Sequence, residues 1–203
     1  MGFVDPMNIE VSDKPLRWGS LDLSLFGVDQ DWDGNKVEPQ VAFGFAVDQD
    51  YLWFVAAHQT PPALHPDAQP GAFQTELWKY DVAEFFLLDP ESGRYLEFNL
   101  APNGAWWSAE FSAPRIRTEI GEHPFPEVAT YAEIADDGSW MAAAALPISQ
   151  LRERFHFGAE SRLNACFIIN SPEQQFLSAA KLNAPEPDFH LPDQFPKVHF
   201  FHV

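Results

Sequence analysis

The chain has 203 residues, 30 acidic and 12 basic, for a formal net charge of −18. That length suits one domain with a full core, and 46% apolar with 15% aromatic residues excludes a disordered chain despite the charge. The acid excess excludes a nucleic-acid partner, which needs a basic footprint; no apolar run nears the roughly 20 residues of a membrane-spanning helix; and the single cysteine, Cys166, excludes an internal disulfide.

The opening stretch, MGFVDPMNIEVSD, has neither a basic n-region nor an apolar h-region. The expectation is therefore a cytoplasmic protein without a signal peptide. No fixed-period repeat or low-complexity tract follows. Asp29-Gln30-Asp31-Trp32-Asp33-Gly34 spells D-x-D-x-D-G, the opening of a calcium loop. Hard cations want several oxygen ligands, and Asp29, Asp31 and Asp33 could supply them. The twelfth position is Gln40 where the full loop needs a bidentate Glu, so a solvated acidic loop is the preferred reading and calcium the lesser one.

Short apolar segments separated by Pro, Gly, Asn and Asp then dominate, the pattern of an antiparallel all-β protein. The clearest hairpin is VAFGFAV and YLWFVAA, residues 41–57, joined by Asp48–Asp50. Residues 58–76 hold four prolines and no strand pattern, a length that usually means a functional loop or disorder. Strands are predicted at 81–88, 94–100 and 105–111, with turns at 89–93 and 102–104. In the second of these, Leu96, Phe98 and Leu100 share one face and Tyr95, Glu97 and Asn99 the other, because strand side chains alternate. Further strands are predicted at 115–120, 127–134, 139–146, 163–169, 176–182 and 197–203. PISQLRERF, 147–155, is the one good helix, with Pro147 at its first position and Ile148, Leu151 and Phe155 on one face. About ten strands and one short helix predict a two-layer antiparallel β-sandwich.

Residues 76–104 carry two linked patterns: Trp78, Asp81, Glu84, Phe86 on one strand, then Tyr95, Glu97, Asn99 and a turn ending in Gly104. They resemble the central segment of family 9 carbohydrate-binding modules and their DOMON-like relatives, which show W-x-x-D-x-x-E-x-F there. Phe189, His190, Pro192 and Phe195 resemble that family's closing segment, and LPISQL at 146–151 its late short helix. The landmarks span about residues 40–203 in family order. The resemblance implies a jelly-roll-like sandwich with a small carbohydrate ligand. It places Trp78 and Phe189 as the aromatic pair that clasps a sugar, Glu84 as the acid that binds hydroxyls and Asn99 as the strand amide. Three positions depart from the family pattern: Phe189 stands for Trp, Glu97 for Arg and Pro196 for Gly.

The residue types agree with that implication. A sugar offers apolar C–H faces and a rim of hydroxyls, which aromatic rings, carboxylates and amides match. Trp78 reads equally well as a core residue. Glu84 lies in an otherwise apolar strand on the face of Val82, Phe86 and Leu88, so it is either salt-bridged to Arg94, Arg115 or Arg117, or functional. Of Trp106 and Trp107 one faces the core; the other either flanks a groove or, the preferred reading, covers the outside of the sheet. His190 is a hydroxyl donor or a packing residue; His199 and His202, three apart on a strand, face opposite sides.

Two other readings stand beside a non-catalytic binding domain. One is a small-hydrophobic-molecule or haem-type ligand binder: DOMON-like relatives bind haem through Met and His, for which Met1, Met7 and Met141 are the available methionines. A glycosidase would need Glu84 and Glu97 paired across a scissile bond. No G-x-S-x-G, P-loop or G-x-G-x-x-G motif occurs, and Cys166 in NACFII reads as a buried strand cysteine. No cofactor beyond calcium is indicated.

Overall fold

The computed structural model describes residues 3–202. In chain order its strands are β1 (Met7–Val11), β2 (Phe26–Gln30), β3 (Lys36–Val47), β4 (Tyr51–His58), β5 (Val82–Leu88), β6 (Tyr95–Leu100) and β7 (Trp106–Ala113). They continue as β8 (Ile116–Glu122), β9 (Ala129–Ile134), β10 (Trp140–Pro147), β11 (Arg162–Ile169), β12 (Gln175–Ser178) and β13 (Val198–His202). One helix, α1 (Ile148–Phe155), joins β10 to the second sheet, and Leu77–Lys79 forms a single 3-10 turn before β5. The sheets run β13-β1-β3-β4-β10-β9, with β2 beside β3, and β12-β11-β5-β6-β7-β8. All pairings are antiparallel except those of β1, which runs parallel to β13 and β3.

The two sheets bury one apolar layer between them. Ala83, Phe85 and Leu87 of β5 and Leu96, Phe98 and Leu100 of β6 point into it. Phe85 stacks on Phe98 (ring centroids 5.2 Å apart) and meets the edges of Phe45 and Phe54. Aromatic pairs in such geometry add to what area burial alone contributes. Phe85, Phe98, Phe45 and Phe54 thus tie the 41–57 hairpin to the strands that carry the site.

The outer face of the second sheet is covered as well. Val82, Phe86, Leu88, Tyr95, Trp107 and Phe111 face away from the first sheet and pack under Phe73, Leu77, Trp78, Phe176, Phe189 and Phe195. Burial on both faces is why β5 reads as VAEFFLL, nearly unbroken apolar, where a half-exposed strand would alternate. Ala68 and Phe73 of the long Pro-rich segment and Leu182, Phe189 and Phe195 of the 182–197 stretch contribute to this cover.

Three local expectations change. Strands β1 and β2 stand where none was predicted. Each is five residues long and pairs with distant chain: Met7 opposes Val198. The strand predicted to reach 182 ends at Ser178, where the Ser178 hydroxyl turns back to the Ala180 carbonyl (2.7 Å). Pro147 caps α1 and is not its first residue; the helix buries Ile148, Leu151 and Phe155 as predicted and ends on His156 in a left-handed conformation (φ 47°).

Candidate functional site

Strand register brings the chemistry together. On the outer face of the second sheet, Cys166 of β11 opposes Glu84 of β5, Glu84 opposes Asn99 of β6, and Asn99 opposes Trp107 of β7. The next row sets Phe86 against Glu97. Directly opposed side chains in a sheet touch, and diagonal ones lie within reach of long groups. Glu84 and Glu97 are diagonal neighbours on this floor.

Above the floor opens a cleft of about 570 Å³. Its walls are Trp78 from the 3-10 turn, Trp107, Phe111, Phe176, Phe189 and His190, and Arg115 from the turn before β8 and Arg117 of β8 stand at its side. Trp78 meets Trp107 edge-on with centroids 5.0 Å apart, and its backbone carbonyl accepts from the Gln174 amide (3.1 Å). Phe189 meets both Phe86 and Phe176 at angles near 62°. The Arg117 guanidinium lies over the Trp107 ring, 5.5 Å from its centroid.

Burial controls the acid–base state of this floor. Glu84 is 2% exposed, and burial, then the nearby Glu97 charge, raises its carboxyl well above the ordinary range. Burial likewise pushes Glu97 up to about 7, while Asn99, Arg117 and Arg115 pull it back. Desolvation disfavours the charged form of either acid. Burial also lowers His190 to about 4, and raises Tyr95 to about 12. The Cys166 thiol is pushed far up by burial and by Glu84, so it is no nucleophile.

A short relay orders His190. The Tyr95 hydroxyl accepts the Arg115 backbone N–H (3.1 Å), which leaves its own hydrogen for His190 Nδ1 at 2.8 Å or the Ala113 carbonyl at 3.5 Å. The shorter contact wins, and that network assigns the imidazole proton to Nε2, 3.5 Å from Glu97.

Three polar groups of the floor have no hydrogen-bond partner among the described residues. Both amide atoms of Asn99 and the indole N–H of Trp107 are buried without a hydrogen bond. Asn99 lies close enough to Glu97 to favour its ionised form, but short of bonding geometry. Such groups are rare in folded proteins, and a polar ligand or ordered water accounts for them.

Of the residues singled out from sequence, Trp78, Glu84, Glu97, Phe189 and His190 line the cleft, and Asn99 lies fully buried between Glu84 and Trp107. Asp81 is not among the lining side chains. Its two oxygens accept the backbone N–H groups of Ser171 (2.9 Å) and Ala63 (3.2 Å), so it ties two loops together behind the site. Asp81→Ala is expected to lose about 2 kcal/mol of stability, because it strands two backbone donors; a urea melt measures this. Among the described residues Glu84 makes none of the three salt bridges that were the alternative to a functional role: Arg94 pairs with Glu110, Arg115 with Asp188, and Arg117 with Glu122. Trp107 takes the groove-flanking place that was the lesser reading for one of the Trp106–Trp107 pair, and the two arginines were not assigned to the site. The signal for Trp107 was its alternation with Ala109 and Phe111 along β7; Arg115, in the turn before β8, gave none.

The metal and haem residues lie elsewhere. Asp31 accepts the N–H groups of Asp33 (3.0 Å) and Asn35 (2.8 Å) and the Asn35 amide, so its oxygens already close the 29–34 loop. Among the described residues, Asp89, Glu91 and His156 are the group whose ligand atoms lie within 4.8 Å of one another. There Asp89 accepts from Ser92 Oγ (2.6 Å), Glu91 N and His156 Nδ1 (2.8 Å), and that carboxylate raises the imidazole above its ordinary value. Met7 is buried in the core, and Met1 lies outside the described residues. Met141 borders a separate cleft with His58, whose ring nitrogens already contact the Pro39 carbonyl (3.0 Å) and the Thr60 hydroxyl (2.8 Å).

No family model matches the chain. Over nearly its whole length it superposes on solved β-sandwiches. A candidate carbohydrate-binding protein from Bacteroides uniformis matches with a TM-score of 0.71 at 15% identity, covering 97% of this chain and 99% of the other. A family 9 carbohydrate-binding module from Caldicellulosiruptor kristjanssonii in complex with glucose matches at 0.62 and 10% identity, over 98% and 96%. The cellotriose complex of a family 9 module from that organism matches at 0.62 and 11%, over 96% and 93%. At these identities the likeness is one of fold: the chain has the β-sandwich of family 9 carbohydrate-binding modules.

The sequence relatives are the UPF0462 protein C4orf33 of Homo sapiens, 33% identical over 87 residues, and its Mus musculus homolog, 35% over 83 residues. Each match takes in 39% of this chain and 41% or 42% of the relative, so it spans about two fifths of those proteins.

Proposed function

We propose that this protein is a non-catalytic, DOMON-like carbohydrate-binding domain that takes a small sugar or sugar end in the cleft over β5, β6 and β7. The observation that carries this reading is the pairing of aromatic walls with a floor of unpartnered polar groups. Trp78 and Phe189 would hold the C–H face of a pyranose, and Glu84, Glu97, Asn99 and the Trp107 indole N–H would receive its hydroxyls. A hydroxyl both donates and accepts, so one ring can satisfy a buried amide, an indole and a carboxyl together. An apolar ligand would leave all of them unmet at roughly 1–3 kcal/mol each. The solved family 9 modules of this fold, in complex with glucose and with cellotriose, support the reading.

The departure at Glu97 fits it too. A carboxyl held near 7 is partly protonated at neutral pH, so it can donate a hydrogen bond where the family pattern has Arg. Arg115 and Arg117 add donors at the cleft side. Phe189 offers a smaller face than Trp, so most of the stacking rests on Trp78.

Calorimetric titration with glucose, xylose and cellobiose tests this. Binding is expected for at least one, and Trp78→Ala is expected to weaken it by about tenfold or more through lost stacking. Unchanged affinity in that variant would remove the stacking role. Release of reducing ends from the cellobiose would instead favour the second reading, a glycosidase built on Glu84 and Glu97, which one cleft brings together.

A further inference from the structure

The floor of the cleft has acid without base. Glu84 is 2% and Glu97 6% exposed, and among the described residues neither pairs with a lysine or arginine. The contact Glu97 does make is with His190, 3.5 Å away and neutral at pH 7. Arg115 and Arg117 flank the cleft, but each already holds a carboxylate: Asp188 at 2.9 Å and Glu122 at 2.9 Å. Glu84's other titratable neighbour, across the strand pair, is the un-ionised Cys166. Around this acid pair stand Trp78, Phe86, Trp107, Phe111, Phe176 and Phe189.

Two buried carboxyls inside an aromatic enclosure are the chemistry of a site for an organic cation. Aromatic faces attract ammonium groups, most strongly where water is excluded. A buried carboxylate without a partner is unfavourable, and a ligand that brings positive charge relieves it. The chain's net charge of −18 adds a long-range field that draws cations and repels anions.

We propose that the sugar this cleft prefers is an amino sugar with a free, protonated amine, its ammonium seated over Glu84 and Glu97. The inference rests on the saccharide reading above and adds to it the class of sugar. An acid near the midpoint of its titration is suited to this role, because little free energy is needed to ionise it when the cation arrives. An N-acetylated amine is neutral and bulkier, so it loses the ion pair. A uronic acid would bring a negative charge to a floor already rich in acid.

The test is calorimetric titration at pH 7 with four probes: glucosamine, glucose, N-acetylglucosamine and glucuronate. Glucosamine is expected to bind about tenfold tighter than glucose, with the other two weaker than glucosamine. Glu84→Gln, checked for folding by its melting transition, is expected to bring the glucosamine-to-glucose ratio to within about twofold, whatever it does to either affinity alone. Glu97→Gln is a second variant with the same expected readout. Equal binding of glucose and glucosamine would overturn the inference and leave the saccharide reading standing. A preference for glucuronate would overturn it in favour of Arg115 and Arg117 as the determinants. Binding of none of the four would overturn it together with the saccharide reading.

Discussion

Glu110→Ala is expected to destabilise the fold by about 3–5 kcal/mol. Glu110 sits in β7 with its side chain fully buried. Three groups converge on it: Arg94 from the turn before β6, Arg154 from α1, and His123 after β8 with Nε2 at 3.6 Å. Arg154 donates through Nε at 2.8 Å as well as through its terminal nitrogen. The two guanidiniums also lie over rings, Arg94 over Phe155 and Arg154 over Phe125. Among the described residues Glu110 is the one acid that pairs with this cluster, so its removal leaves two arginines without a counter-charge. They are 37% and 21% exposed, too little for full hydration. Glu110→Gln keeps the shape and part of the bonding, and is expected to lose less. Urea unfolding at neutral pH measures both. A loss below about 1 kcal/mol for the alanine variant would mean that the arginines swing out to water, as surface pairs do at little cost.

How much of this was legible in the sequence follows from the range of the forces involved. The alternation of Leu96, Phe98 and Leu100 against Tyr95, Glu97 and Asn99 is local, and it placed the acid and the amide on the site face. The same holds for Ile148, Leu151 and Phe155 on α1. Strand β1 was not legible, because a five-residue strand beside Pro6 acquires its identity from Val198–His202 across the whole chain. Asp81 shows the converse: a motif position matched, yet the donors it meets come from loops at 63 and 171, which no spacing reveals. Arg115 and Arg117 were offered as partners for Glu84 only as the alternative to a functional role; they hold Asp188 and Glu122, since three-dimensional proximity, not strand order, selects among many acids. Glu110 gave no signal at all: a Glu in an apolar strand looks the same whether it meets a ligand or two arginines.

Glu97→Gln is expected to stabilise the protein at pH 8 by on the order of 3 kcal/mol, and by less than about 1 kcal/mol at pH 5. The sign follows from the direction of the shift. In the fold this carboxyl is raised from about 4.5 to about 7. Between those values the folded chain holds a proton that the unfolded chain has released, so stability falls as pH rises through the folded value. Glu84 acts in the same direction. His190 and His58 oppose them: both are lowered by burial, so their contribution is present above the ordinary imidazole range and is lost as pH falls. The wild-type profile between pH 4 and 7 is therefore flattened by cancellation, and only the difference between wild type and variant isolates Glu97. Glutamine has the shape of the protonated acid and no charge to desolvate, which is why the gain should vanish at low pH. Urea unfolding of both proteins at pH 5 and pH 8 gives that difference. A gain that does not change with pH would mean that Glu97 is ionised throughout, held by Arg115 and Arg117 against the burial that raises it. A gain that grows with pH would mean that the cleft retains an acid which weakens the empty fold, and only a bound ligand with a positive or hydrogen-bond-donating group would then offset that loss.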